Sequence, residues 1–119
     1  MNTLKSHNLY LAHIEAELIY IIGVTQDIDF ETFLEDPTLK RAIERSLSIV
    51  GEAVKRLPEA FRLAHPDTDW RAIAGTRDKL IHDYLGIDYE LVWDIVANKV
   101  PDLYIQIKLL RHVDASDTL

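Results

Sequence analysis

Apolar side chains recur at helical spacing along most of the chain, and this pattern sets the fold class. Near the N-terminus the recurring residues are Leu4, Leu11, Ile14, Leu18 and Ile21. Intervals of three, four or seven residues place them on one side of a helix, which we predict from about Ser6 to Thr25. The sequence contains no strand pattern, no internal repeat and no glycine-rich phosphate loop. We therefore predict an all-α protein.

The second predicted helix has clear start and stop signals. Asp36 followed by Pro37 is typical of a helix start, with the aspartate as N-cap and the proline in the first turn. Pro58 should end this helix. Gly51 lies inside it, where glycine costs about 1 kcal/mol relative to alanine. A close approach by another helix would offset this cost. We interpret Gln26–Glu35 as a connection with about one helical turn.

Two further helices complete the predicted fold. We expect the third from about Trp70 to Leu85, capped by an aspartate at 67 or 69 and stopped by Gly86. Asp88 should cap the fourth, and Pro101 should kink or restart it near position 99. Short links between the helices favour an up-and-down four-helix bundle. We predict one domain over residues 1–119, with its core at about 6–112.

Composition excludes several classes of function. The 119 residues include no cysteine, so no disulfide, thiolate metal site or cysteine nucleophile is available. No signal-peptide pattern is present, and the apolar run Leu18–Val24 is too short to span a bilayer. We therefore expect a soluble cytoplasmic protein without membrane contact. The formal net charge of −7 argues against general nucleic-acid binding, which would require locally concentrated positive charge.

Four side chains that could take part in catalysis or binding lie close together in the sequence near position 80. On one continuous helix, Arg77 would share the apolar stripe and stand two turns from Tyr84. The carboxylate of Asp78 would reach the imidazole of His82, four residues later. Such a group suits a phosphate-containing substrate. The simpler interpretation is a solvated helix face with incidental ion pairs.

The order of motifs around this group resembles a known family. Residues 77–84 have the pattern Arg-x-x-x-x-His-x-Tyr. Before it come Ile-Val-Gly-Glu-Ala at 49–53 and Trp-Arg-Ala-Ile-Ala-Gly at 70–75. After it comes Asp-Tyr-Glu-Leu-Val-Trp at 88–93. Together they resemble the HepT-like toxins of the HEPN superfamily, which are small all-helical ribonucleases. The resemblance extends from about Asp36 to Leu110.

RNA cleavage through the substrate's own 2′-hydroxyl fits these residue types. His82 can act as general base or acid, since imidazole titrates near neutrality. Arg77 can hold phosphate oxygens, and Asp78 can fix the tautomer of His82. This chemistry requires no metal and no cofactor. The resemblance likewise implies an endoribonuclease whose product carries a 2′,3′-cyclic phosphate.

One signature supplies one histidine, so separate acid and base roles suggest that two copies meet across a two-fold axis. The resemblance also implies such a homodimer. It further implies a nucleotidyltransferase antitoxin of the MntA type that transfers AMP to Tyr84. Alternatively, the ring of Tyr84 only packs on the bundle. Two other readings of the protein are a non-catalytic HEPN subunit that binds nucleotide or a nucleotidyltransferase, and a purely structural helical dimer.

Two further groups of charged or titratable residues allow alternative readings. The second helix is the most basic segment, and its cations form either a solvated face or an edge that follows RNA phosphates. These cations are Lys40, Arg41, Arg45, Lys55 and Arg56. His7 and His13 lie six apart on the first helix and do not share a face, so we expect no metal pair there.

Overall fold

The computed structural model describes the backbone of residues 3–82 and 86–117, and the side chains of 7–80 and 86–111. About 84% of the chain is helical, which confirms the all-α class. The elements in chain order are α1 (Thr3–Thr25), α2 (Phe30–Glu35), α3 (Pro37–Arg56), α4 (Glu59–Ala64), α5 (Trp70–Ala74), α6 (Thr76–Leu80), β1 (Ile81–His82), β2 (Gly86–Ile87), α7 (Tyr89–Asp94), a π-helical segment (Ile95–Lys99) and α8 (Val100–Asp117).

Helix α1 is the centre of the bundle. It packs along both α3 and α8, and α3 packs in turn against α5. The predicted apolar stripe of α1 is confirmed, because its described members are fully buried: Leu11, Ile14, Leu18 and Ile21. Each such side chain contributes about 1.5–3 kcal/mol of burial free energy. Within the described residues, no helix is long and apolar enough to cross a bilayer.

The predicted boundaries of the second helix are confirmed in α3. The backbone N–H of Leu39 donates to Asp36 Oδ1 at 3.0 Å, and Pro37 occupies the first turn. The helix ends at Arg56, before Pro58. The turn predicted in the preceding connection is α2. There the N–H of Thr32 donates to Asp29 Oδ1 at 2.8 Å, and this bond lowers the pKa of Asp29.

The prediction of one continuous third helix over Trp70–Leu85 is wrong. Asp69 does cap α5, but the helix breaks at Gly75 and α6 ends at Leu80. The chain then forms an antiparallel pair of short strands, with His82 opposite Gly86. The expected absence of strands is therefore also wrong.

The wrong prediction of where the third helix ends has a physical cause at Gly86. A glycine after an apolar helical stretch is typical of a helix C-cap, because it tolerates positive φ. Gly86 does have φ of +82°, but it belongs to strand β2. Glycine is also common where two antiparallel strands are joined, for the same reason. The pairing is extended by the N–H of Asp88, which donates to the carbonyl oxygen of Leu80 at 2.9 Å.

The predicted interruption of the fourth helix is confirmed. The N–H of Leu91 donates to Asp88 Oδ1 at 3.1 Å, which caps α7 as expected. Between α7 and α8 the N–H of Val100 bonds to the carbonyl of Ile95, five residues back, in a π-helical segment. Pro101 accounts for this widening, because it has no N–H to donate and its ring displaces the preceding turn.

Candidate active site

Arg77 lies in the first turn of α6 and its side chain is exposed. The prediction that it shares a core-facing apolar stripe is wrong. That prediction extended one helical phase from Trp70 to Tyr84, whereas the break at Gly75 resets the phase between α5 and α6. Trp70 and Leu80 are buried, and Arg77 faces outward. Its placement therefore needs no dimer cleft to offset a buried charge.

Arg77 borders an open cavity of about 460 Å³ between α1 and α3, which we call the α1–α3 cavity. This volume is in the range of about 300–1,000 Å³ typical of ligand pockets. Its charged, histidine and tyrosine side chains are Tyr10, His13, Arg45, Glu52, Arg56 and Arg77. Three helices thus bring three arginines and a histidine to one opening.

The positive charge of this cavity is not neutralised within the described part of the chain. Arg45, Arg56 and Arg77 form no salt bridge with any described residue. The carboxylate of Glu52 is 3.5 Å from the ammonium of Lys55. A chain with net charge −7 therefore brings to one cavity three guanidinium groups that no described carboxylate pairs. Local charge of this kind is what phosphate binding requires in an acidic protein.

His82 is in an extended strand rather than a helix. Its backbone belongs to β1, two residues beyond the end of α6, while its side chain lies outside the described residues. The carboxylate of Asp78 is on α6 and exposed. The helical spacing used to pair these two residues does not apply, because the helix ends between them. Their pairing stays a prediction.

Tyr84 lies outside the described residues, so its role stays a prediction. The helix that was predicted to carry both Arg77 and Tyr84 ends at Leu80. The backbone on either side of the three-residue connection 83–85 is paired, His82 with Gly86. The signature is therefore not one strip of a helix, since Arg77 lies on α6 and the backbone of His82 lies on β1.

The start of α6 is held in place by contacts around α5. The buried indole of Trp70 donates from Nε1 to the carbonyl oxygen of His65 at 2.9 Å. The N–H of Ala72 donates to Asp69 Oδ1 at 3.1 Å. The hydroxyl of Thr76 donates back to the carbonyl of Ala72 at 3.1 Å, which links α6 to α5. These bonds fix the backbone that carries Arg77.

The basic residues of α3 separate into two groups with different contacts. Near its start, the ammonium of Lys40 lies 4.6 Å from the ring centroid of Tyr89. The hydroxyl of Tyr89 donates a short hydrogen bond to Glu44, and this bond raises the pKa of Tyr89, assisted by burial and by the charge of Glu44. Arg45 and Arg56 instead line the α1–α3 cavity. Only this second group adjoins Arg77.

The sequence did not identify Tyr10 and His13 as members of the site. They lie three residues apart, on the side of α1 that packs toward α3. The separation of the two histidines of α1 is confirmed, since His7 is buried against Phe61 at 4.5 Å between ring centroids whereas His13 is exposed. Among the residues whose side chains are described, no group of three His, Asp or Glu could hold a metal ion.

The fold and the site define a small helical protein with an arginine-lined cavity beside an Arg-x-x-x-x-His-x-Tyr signature. Residues 14–110 match the family model described as "Ribonuclease HepT-like". The chain therefore belongs to the HepT-like ribonuclease family, and it is an endoribonuclease by family.

Similar proteins cover nearly the whole chain. "Putative RNase TTE0752" of Caldanaerobacter subterraneus subsp. tengcongensis is 46% identical over 88% of this chain and 94% of its own length. "Putative RNase MJ0127" of Methanocaldococcus jannaschii is 42% identical over 95% and 94%. "Probable ribonuclease HepT" of Thermococcus cleftensis is 40% identical over 90% and 97%. The search of solved structures gave no match.

Proposed function

We propose that this protein is the toxin of a toxin–antitoxin pair and cleaves cytoplasmic RNA without a metal ion. The observation that carries the proposal is Arg77, whose exposed guanidinium shares a cavity with Arg45 and Arg56, all three without a salt bridge to any described residue. A guanidinium in this setting is free to bind phosphate oxygens through two parallel hydrogen bonds. The acidity of the whole chain is no obstacle when the cations are concentrated in this way.

In the proposed reaction the 2′-hydroxyl of the substrate attacks the adjacent phosphorus. His82 takes the hydroxyl proton as the new P–O bond forms, or donates a proton to the 5′-oxygen as the P–O5′ bond breaks. Arg77 stabilises the charge that develops on the non-bridging oxygens. Asp78 holds the tautomer of His82 that accepts the proton. The products are a 2′,3′-cyclic phosphate and a free 5′-hydroxyl.

A homodimer would supply a second histidine and arginine to the cleft. The outer side of α1 supports this arrangement, since both of its acidic residues bond inside the chain. Glu15 is 3.1 Å from Arg111, and Glu17 accepts from the hydroxyl of Ser46 at 2.8 Å. The outward side is left apolar, with exposed Leu9, Ala16, Ile19 and Tyr20. An exposed apolar strip on a helix is typical of a surface that contacts another protein.

A nucleotidyltransferase antitoxin would silence this toxin by attaching AMP to Tyr84. The added phosphate would be drawn to the cations near Arg77 and would compete with the substrate. The neighbouring Tyr89 is a poorer acceptor, because its hydroxyl already donates to Glu44 and its ring is covered by Lys40. Tyr84 is thus the better candidate of the two.

Co-expression tests both parts of the proposal. The chain alone should arrest growth of its host and degrade RNA to products with 2′,3′-cyclic ends. Co-expression with a nucleotidyltransferase encoded beside it should restore growth and add AMP mass to the peptide containing Tyr84. Tyr84→Phe should abolish that mass increase. A purified dimer that leaves RNA intact would contradict the proposal and indicate the non-catalytic HEPN subunit instead.

A further inference from the structure

The α1–α3 cavity extends well beyond the catalytic signature. Arg45, Glu52 and Arg56 follow one another at intervals of seven and four residues, so they line one face of α3. Tyr10 and His13 face them from α1. Neither the signature nor the proposed chemistry at Arg77 and His82 requires any of these five side chains.

We propose that the α1–α3 cavity is a binding subsite for single-stranded RNA, in which Arg45 and Arg56 hold phosphates that flank the scissile one. This inference rests on the proposed ribonuclease function and specifies how its substrate is bound. Both guanidiniums are available for the task, since neither forms a salt bridge with a described residue. The nearest acid of the cavity, Glu52, has the ammonium of Lys55 beside it at 3.5 Å.

The spacing of the arginines favours a strand over a single anion. Arg45 and Arg56 are separated by three helical turns, or about 16 Å along the axis of α3. Each guanidinium can therefore contact a different phosphate of a strand that lies along the helix. Arg77, from α6, adds a third cation at the same opening. A strand held along α3 would reach Arg77 without leaving the cavity.

Tyr10 and His13, both on α1, add an aromatic ring and an imidazole to the subsite. The phenol ring of Tyr10 is half-buried and offers a face on which a base can stack. The imidazole of His13 is exposed, and the charged groups that share its cavity are Arg45, Glu52, Arg56 and Arg77. An imidazole beside a phosphate can donate a hydrogen bond to one of its oxygens.

A substrate that cannot be cleaved separates binding from catalysis. The probe is a fluorescent hexanucleotide of 2′-O-methyl RNA, whose blocked oxygen cannot attack phosphorus. Arg45→Ala and Arg56→Ala should each weaken its binding about tenfold. The plot of log K against log salt has a negative slope, and the double variant should make it less steep by about 1.4. Each lost phosphate contact with a single strand removes about 0.7 from the steepness. Arg71→Ala is the matched control, because Arg71 is exposed on α5 and does not line the cavity.

Each result decides one of the two proposals. Binding by the wild type that is lost in the double variant, and retained in Arg71→Ala, supports the subsite even if the protein leaves natural RNA intact. Cleavage of natural RNA together with unchanged probe binding by the double variant overturns the subsite and leaves the ribonuclease function standing. Failure of the wild type to bind the probe also overturns the subsite. A mononucleotide that binds as tightly as the hexanucleotide would mean a simple anion site and would overturn it too.

Discussion

Gly51 on α3 packs directly against the backbone of Ile73 on α5. A Cβ atom at Gly51 would lie 3.3 Å from the carbonyl oxygen of Ile73 and 3.5 Å from that of Ala74. This contact is the close helix approach that the sequence predicted for the glycine. It also sets the position of α5, and α5 leads through Gly75 into the helix that carries Arg77.

Substitutions of Gly51 should therefore depend strongly on size. In Gly51→Ala the gain in helix propensity, about 1 kcal/mol, opposes a contact that is only slightly too short, so we expect a free energy of unfolding near the wild-type value. Gly51→Leu should lower that free energy by about 1–3 kcal/mol through overpacking against α5. Urea unfolding of both variants provides the measurement. Equal stability of the leucine and alanine variants would contradict the observed packing.

Removal of the proposed catalytic groups should abolish activity without unfolding the protein. We expect Arg77→Ala and His82→Ala each to lower kcat for RNA cleavage by about 10²–10⁴-fold. Because the side chain of Arg77 is exposed, its removal opens no core cavity, and the circular dichroism spectrum should be unchanged. Arg71→Ala should cleave at the wild-type rate. Wild-type rates in His82→Ala, measured with and without a chelator, would exclude the mechanism.

The hydrogen bond between Tyr89 and Glu44 should be visible in an alkaline titration. The carboxylate of Glu44 accepts a hydrogen bond from the hydroxyl of Tyr89. This bond, together with burial and the negative charge of Glu44, raises the pKa of Tyr89 above the ordinary 10.0. The bond therefore stabilises the fold fully below pH 10 and loses that effect as the pH rises through the higher folded-state pKa. Phenolate absorbance should show one tyrosine that titrates late, and Tyr89→Phe should remove it. Glu44→Gln should bring this pKa back toward 10, and a late component that persists in Tyr89→Phe would refute the assignment.

The apolar outer side of α1 should be the dimer contact. Light scattering at micromolar concentration should give twice the chain mass for the wild type and the single-chain mass for Ile19→Glu, because a buried unpaired carboxylate opposes association. Leu63→Glu is a suitable control, since Leu63 is 73% exposed on α4 and is not part of the exposed apolar side of α1. A wild-type monomer would remove the need for a two-fold site. A dimer that survives Ile19→Glu would show that the contact lies elsewhere on the surface.

Much of the fold follows from local signals in the sequence. The Asp36-Pro37 start, the Pro58 stop, the Asp88 cap and the interruption before Pro101 all occur as predicted. Each depends on hydrogen bonds or ring sterics within about five residues, so no distant contact is needed to decide it. The apolar stripe of α1 is equally local, because one helical period fixes which side is buried.

The sequence by itself thus determined the all-α class, most helix ends and the family to which the signature belongs. It could not decide the end of the third helix, since a positive-φ glycine at position 86 suits a helix cap and a hairpin equally well. Only tertiary structure brought Tyr10 and His13 to the arginines of α3 and to Arg77. Those residues are distant along the chain, and their proximity depends on how α1 packs on α3, which no local pattern of side chains encodes.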